Sequence, residues 1–233
     1  NSWPPPIGDP AEEENGVVLA LDPDTGEYHT IFGMGRHNHE NNVALPGFKD
    51  LVMLSGDDTF LTNPAQSQVY SYIARNTRDI WADKGDLWAF VSDTPGFDDY
   101  YDFVPGSTET VTGHFVKVPK DIATGRLNGT GRHLMAADKG YPAPIVGDFA
   151  TDAAGLPTDG PQYVLEKWSD ENAVFQFVRI EDIAYDKRPG QANVVYLADS
   201  GRASTGAPAA GKSTNGRVWK MVFGKLMKVS ICS

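Results

Sequence analysis

The sequence predicts an all-β fold: a β-propeller, or a partial propeller, of short four-stranded blades with long loop insertions. The 24 glycines and 16 prolines among 233 residues exceed the usual combined share of about 12%. Short apolar runs end repeatedly in turns that contain Asp or Gly. Weak similarity between residues 86–90 and 216–221 indicates a repeated strand unit of blade size. A β-sandwich is the structural alternative, because it has the same short strands and turns.

Amino-acid composition and net charge restrict the possible classes of function before any motif is considered. Hydrophobic residues make up 40% of the chain, which is enough for a packed core, and the formal net charge is −11. This charge argues against a nucleic-acid partner, because phosphate backbones are bound by a basic face. The longest apolar runs are too short for a membrane span. Cys232 is the only cysteine, which excludes an internal disulfide and a Cys-rich zinc site.

The elements begin after an irregular, Pro-rich and then acidic arm at residues 1–15. From residue 16 to 233 we expect a single propeller-like domain that opens with a hairpin. Residues 17–22 and 28–32 are its strands, and Asp22-Pro23-Asp24-Thr25-Gly26 is its turn, because Pro fixes φ and Gly permits positive φ.

Further strands follow at intervals, separated by two long insertions at about residues 94–113 and 124–162. The apolar tail at residues 226–233 resembles a strand that continues elsewhere, and we therefore expect the chain to be part of a longer protein. The other predicted strands are residues 51–54, 68–73, 86–91, 115–118, 173–178, 193–199 and 216–222.

The densest polar segment is residues 33–42, Gly-Met-Gly-Arg-His-Asn-His-Glu-Asn-Asn. It follows a predicted strand, and its glycines allow the main chain to turn sharply. Glu40 is predicted to be a metal ligand, and His39 is a candidate for substrate binding. The alternative is a polar loop whose side chains cap neighbouring backbone groups.

Two further segments place carboxylates after predicted strands. Asp57 and Asp58 are adjacent, and a divalent cation would relieve their repulsion, although Gly-Asp-Asp is also ordinary turn composition. In extended Arg179-Ile180-Glu181-Asp182, the first and third side chains share a face. Arg179 would then bind phosphate while Glu181 and Asp182 hold metal. The alternative is an Arg–Glu pair that stabilises the sheet.

Two other acidic positions are weaker candidates. Asp199 ends a predicted strand, where a turn with Asp at its first position is the simpler interpretation. Residues 98–102, Asp-Asp-Tyr-Tyr-Asp, form an acidic and aromatic loop that could serve as a lid or an ion site.

Taken together, the hairpin at 17–32 and residues 34–41, 55–58, 178–186 and 194–201 resemble the PhoX-type alkaline phosphatase family. The resemblance covers roughly residues 16–92 and 173–224. It implies a bacterial β-propeller with iron and calcium ions at one end of its channel, where a phosphate ester is activated. Carried over by motif, Arg179 and Glu181 would face the phosphate and the metals as catalytic residues, and Glu40 would be a metal ligand.

The chain departs from that family in one respect. The family's iron site also uses a cysteine before the His-Glu motif, and no cysteine precedes Gly33 here. Calcium needs only oxygen ligands and is therefore the cofactor that these residues favour.

We thus expect a periplasmic or secreted metal-dependent phosphoric monoester hydrolase acting on a small phosphate ester. A non-catalytic calcium-binding propeller module and a calcium-dependent esterase or lactonase are the alternatives, since a propeller does not determine function.

Overall fold

The computed structural model describes residues 16–59, 64–103, 109–128, 130–142, 159–201, 215–224 and 228–232. Strands predominate in this part of the chain. They are β1 (Val18–Leu21), β2 (Tyr28–Ile31), β3 (His39–Leu45), β4 (Leu51–Asp57), β5 (Val69–Ala74), β6 (Asp86–Ser92), β7 (Thr110–Lys117), β8 (Ile180–Tyr185), β9 (Val194–Asp199), β10 (Arg217–Phe223) and β11 (Lys228–Cys232). The helices are α1 (Thr77–Trp81), α2 (Lys120–Thr124), α3 (Ala136–Lys139) and α4 (Pro161–Glu171), with 3₁₀ turns at Phe32–Met34 and Tyr100–Asp102.

The strands from β3 onwards form one antiparallel sheet in the order β3-β4-β5-β6-β7-β11-β10-β9-β8. Its two edge strands, β3 and β8, lie against each other, so the sheet curls into a nearly closed barrel. β1 and β2 form a separate hairpin. The all-β prediction is confirmed. A propeller is not shown, because the strands from β3 to β11 are one continuous sheet rather than separate blades.

Aromatic side chains fill the interior of the barrel. Trp219 on β10 is fully buried and packs edge-on against Phe103, Phe175 and Phe177 at centroid distances of 4.9, 6.1 and 5.4 Å. Edge-to-face packing of this kind adds to the stabilisation from burial alone. Strand alternation directs Trp219 inward from β10, whereas Phe103, Phe175 and Phe177 enter the core from segments between the named strands.

A second core lies outside the barrel, where helices cover the sheet. Tyr70 and Tyr72 of β5 and Leu87 of β6 pack there against α2 and α4. Helix α4 begins with Pro161 in its first turn, where the missing N–H costs nothing. The second core therefore separates the outer face of β4–β6 from solvent.

Most strand predictions are confirmed within one to three residues, and one is wrong. Residues 173–178 make isolated bridges rather than a strand, because Phe175, Phe177 and Val178 fill the barrel core instead. The polar segment at 33–42 contributes strand β3 from His39 onward. The described part of the insertion at 124–162 contains α3 and the start of α4.

Several predictions fall partly or wholly outside the described residues. The arm at 1–15 lies outside the described residues, as do 104–108 of the first insertion and 143–158 of the second. Within the described ranges, no helix is long and apolar enough to cross a bilayer. The predicted tail strand is present as β11, which pairs with β7 and β10 of the same chain.

We expect the substitution Trp219→Ala to lower the free energy of unfolding by about 3–5 kcal/mol, because it removes the ring that the other aromatics surround. Urea denaturation followed by circular dichroism measures this. Val218→Ala is the matched control: Val218 is 63% exposed on the same strand and should cost at most about 0.5 kcal/mol. Equal losses in the two variants would contradict an aromatic barrel core.

Candidate functional site

The seam between β3 and β8 gathers charged side chains, and a β-bulge interrupts each of its two strands. The pairing of β3 with β4 shifts between His39 and Asn42, and that of β8 with β9 shifts between Ile180 and Asp182. The second bulge keeps both Ile180 and Ile183 buried while Glu181 and Asp182 are both left outside the core. Bulges of this kind re-aim side chains near functional sites.

Arg179 is the centre of this seam. Its Nε and Nη2 atoms donate to the two carboxylate oxygens of Asp58 at 3.0 and 3.1 Å, and Nη2 lies 2.9 Å from Glu181 Oε1. This is a bidentate pair, the geometry in which a guanidinium binds carboxylate or phosphate most strongly. The side chain of Asp58 is 5% exposed and that of Arg179 is 26% exposed, so the pair is partly shielded from solvent.

The main chain at Arg179 is in the left-handed region, with φ of +60°. A residue with a Cβ adopts this conformation at a cost of about 1–3 kcal/mol. The residues on either side, Val178 and Ile180, are both fully buried. The turn at Arg179 therefore brings one charged side chain out of an otherwise apolar segment.

The other carboxylates of the seam surround this guanidinium. Glu40 on β3 is exposed, and its charge helps to raise the pKa of Arg179, a shift that the hydrogen bonds to Asp58 dominate. Asp182 accepts a hydrogen bond from Asn41 Nδ2 at 3.1 Å across the seam. Glu181 Oε1 also accepts from Ser200 Oγ at 2.7 Å.

Asp57 faces a different environment from its neighbour Asp58. Its carboxyl group is 1% exposed and accepts hydrogen bonds from Asn38 N at 3.1 Å and from Thr59 Oγ1 at 3.0 Å. Burial raises the pKa of Asp57 to about 8 in spite of these donors, which favours the neutral form at neutral pH. Asp57 therefore joins the end of β4 to Asn38, just before β3, from the buried side.

Asp57 borders a buried polar network beneath α4, because its N–H donates to Gln68 O at 3.0 Å. Gln68 Nε2 donates to both carboxyl oxygens of Glu166 at 2.9 and 3.0 Å, and Tyr70 OH is hydrogen-bonded to Ser169 Oγ at 3.0 Å. Burial raises the pKa of Glu166 well above its usual value. The network thus supplies hydrogen-bond partners for a second buried carboxyl group.

His39 and His37 are joined through Ser55. The Ser55 hydroxyl is 2.7 Å from His39 Nδ1 and 2.9 Å from His37 Nε2, and His39 Nε2 is hydrogen-bonded to Gly35 O at 3.2 Å. Burial lowers the pKa of His39 to about 4 and lowers that of His37 well below its usual value. The His39 ring is therefore neutral at pH 7, which suits a hydrogen-bonding role better than attraction of an anion.

The acidic loop at residues 98–102 contains carboxylates that cap a 3₁₀ turn. The carboxylates of Asp98, Asp99 and Asp102 are close enough to share a cation. Asp102 Oδ2, however, accepts the backbone N–H groups of Asp98 and Asp99, both at 3.0 Å. These bonds cap the 3₁₀ turn and give its acidic side chains a structural role.

Cys232 lies far from the seam along the sheet. It ends β11, which is separated from β8 by β10 and β9, and its sulfur is 3.8 Å from Lys220 O. A cysteine-ligated iron site at the seam therefore does not fit this chain.

Comparison with known proteins gives no relative: no family model, no curated protein and no solved structure matches this chain.

The structure brings together most of the site residues that the sequence predicted. Arg179, Asp58, Glu181, Asp182 and Glu40 share the seam, whereas Asp57 and His39 belong to the buried layer behind it. Sequence reasoning missed Glu166 because it missed α4. The signal was present: Pro161, Val164, Leu165 and Trp168 recur at the i, i+3, i+4, i+7 spacing of a helix.

The free energy of unfolding should fall as pH rises from about 4 to 8, because the folded protein keeps a proton on Asp57 that the unfolded chain releases near pH 3.9. Below the unfolded pKa this stabilisation is fully present, and above pH 8 it is lost. Asp57→Asn should reduce the slope by about 1.4 kcal/mol per pH unit between pH 5 and 7. Urea denaturation at three pH values, with EDTA present, measures the slopes.

Asp24→Asn, at an exposed carboxylate in the β1–β2 turn, is the matched control for this series. Equal slopes for the wild-type protein and Asp57→Asn would show that Asp57 is ionised in the folded state.

Proposed function

We propose that this chain is a metal-dependent phosphoric monoester hydrolase of the PhoX type, with its site at the β3–β8 seam. The observation that carries the proposal is the convergence of Arg179 with Asp58 and Glu181, at 2.9–3.1 Å, from segments more than 100 residues apart. These are residue types that the resemblance assigns to phosphate and metal binding. The fork of Arg179 suits a phosphoryl group, which offers the same spacing of oxygens as a carboxylate.

The donor set of the seam fits calcium. Glu40, Asp58 and Glu181 act on a single guanidinium, that of Arg179, and Asp182 is the next residue of β8. With these four carboxylates and one guanidinium the formal charge of the group is about −3 at neutral pH. Calcium takes six to eight oxygen ligands, with carboxylates prominent among them. Glu40 and Glu181 would hold it, with Asp58 and Asp182 as further ligands.

Each seam residue has a defined part in the proposed reaction. Arg179 binds the phosphoryl oxygens and stays on them as negative charge develops in the transition state. Asn41 orients Asp182, and Ser200 orients Glu181, through the hydrogen bonds described above. When bound, calcium supplies charge neutralisation and lowers the pKa of an oxygen nucleophile.

For the fold, we propose that strands β3–β6 form one of the predicted propeller blades and strands β8–β11 another. Each runs as four consecutive antiparallel strands, which is the topology of a propeller blade. In the structure β7 pairs with both β6 and β11. Hydrogen exchange tests the proposal: slow exchange of successive β7 amides, on both edges of the strand, would contradict separate blades.

We further propose a small phosphate ester as substrate and a periplasmic or secreted location. The partly exposed seam supports a small phosphate ester as substrate, since Arg179 is reachable from solvent. Cell fractionation of the source organism tests the second, and recovery in the cytoplasm would contradict it.

One observation favours a non-catalytic calcium-binding module as second candidate. The guanidinium of Arg179 is already paired with two carboxylates, which is also what a structural ion-pair cluster would show. In that case calcium would raise the melting temperature while no phosphate ester is hydrolysed.

We expect the protein to hydrolyse p-nitrophenyl phosphate in the presence of calcium and to lose this activity in EDTA. Arg179→Lys should lower kcat/KM about 10²–10³-fold, because a single ammonium cannot replace the bidentate fork. Release of p-nitrophenol measures the rates, and melting temperatures confirm that the variant is folded.

Arg188→Lys is the matched control. Arg188 follows β8, the strand that Arg179 precedes. It also pairs with a carboxylate, Asp186, at 2.5–3.1 Å, but it is not at the seam. Activity that survives both EDTA and Arg179→Lys would refute this mechanism, and turnover of a lactone instead of the phosphate ester would point to the lactonase alternative.

A further inference from the structure

Asp199 lies behind the turn that carries Arg179, and it is the acceptor for three N–H groups. Its Oδ2 accepts from Val178 N and from Trp219 Nε1, both at 3.1 Å. Its Oδ1 accepts from Gly201 N at 2.9 Å. Asp199 is 3% exposed, so all three donors depend on it for a partner.

The hydrogen bond from Val178 N to Asp199 fixes the residue before Arg179. Two further hydrogen bonds fix the carbonyl oxygen of Arg179 and the N–H of the residue after it. Ile180 N donates to Ser67 Oγ at 3.0 Å, and Ser200 N donates to Arg179 O at 3.1 Å. Asp199 and Ser200 are neighbours at the end of β9, so one strand end holds the turn at two points. A left-handed conformation at a residue with a Cβ persists only where its surroundings impose it.

We propose that Asp199 is a positioning residue: its carboxylate holds the Arg179 turn in the left-handed conformation that directs the guanidinium to the seam. The assignment of a substrate-binding role to Arg179 rests on the proposed function, but the orienting role of Asp199 does not.

Asparagine at this position keeps the volume of the side chain but removes one acceptor. If the amide oxygen stays on Val178 and Trp219, the NH₂ group opposes Gly201 N–H, next to the residue whose N–H holds Arg179 O. In the other orientation the NH₂ group opposes Val178 N–H itself. Either orientation disturbs one of the two points that hold the turn, so the turn should loosen and the guanidinium should leave Asp58. Small misplacements of a positioning group are enough to reduce rates about 10²-fold.

The experiment follows the Arg179 Nε–Hε signal in ¹⁵N spectra of the whole chain, assigned by its loss in Arg179→Lys. In the wild-type protein this hydrogen is bonded to Asp58 and should exchange slowly with water. Asp199→Asn should move the signal towards that of exposed arginines and speed its exchange at least 10-fold. It should also lower kcat for p-nitrophenyl phosphate about 10–100-fold, with a smaller change in KM.

Trp219→Phe is the matched control, because it removes one donor to Asp199 and weakens the core without touching the bond to Val178. The Arg179 signal should stay in place in this variant although its melting temperature falls. An unchanged signal in Asp199→Asn, or the same shift in Trp219→Phe, would overturn the positioning role. Absence of phosphatase activity in the wild-type protein would refute only the proposed function, since the spectra still decide the role of Asp199.

If Asp199→Asn does not fold, titration of the wild-type protein provides the same test. Burial raises the pKa of Asp199 to about 6, and the other charged or titratable groups that face it are Arg217 and Tyr100. The ¹³Cγ shift of Asp199 reports the pH at which this carboxylate takes up its proton, and the Arg179 signal should move with the same midpoint. An Arg179 signal that stays in place while Asp199 titrates would overturn the proposal.

Discussion

The ion pair between Arg179 and Asp58 joins the two sides of the seam at which the sheet stays open. The edge strands β3 and β8 lie side by side, but the described sheet has no hydrogen-bonded ladder between them. The bidentate pair joins the end of β4 to the start of β8 instead, and Asn41 joins β3 to β8 through Asp182. Polar side chains thus replace main-chain hydrogen bonds at the one place where the barrel would otherwise have two open edges.

The same ion pair limits how an anion such as phosphate can bind at the seam. A phosphate that takes the fork of Arg179 must displace Asp58, whose side chain is 5% exposed, and an unpaired carboxylate at that depth is costly. A cation bound by the displaced carboxylates removes this cost. Anion and cation should therefore bind together, since each relieves the charge that the other exposes.

Much of this arrangement could be predicted from the sequence, and the rest could not for identifiable reasons. Strand positions follow from local apolar runs, so β6 and β9 were predicted to within one residue of their ends. The pairing of Arg179 with Glu181 is also local. The contact between Arg179 and Asp58 is not, because it depends on which strands become the sheet edges. Residues 173–178 were misassigned because an apolar run that fills a barrel has the composition of a strand.

Asp57 and Asp58 show how the fold assigns opposite tasks to adjacent identical residues. Their repulsion predicted a shared cation, but the structure separates them. Asp57 is the last residue of β4 and points into the layer beneath α4, where burial raises its pKa to about 8 and a proton neutralises it. Asp58 lies just past the strand end and is neutralised by Arg179 instead. Only the second carboxylate can exchange its partner for an ion from solvent, because the first is enclosed. The chemistry of the seam is therefore set by where β4 ends.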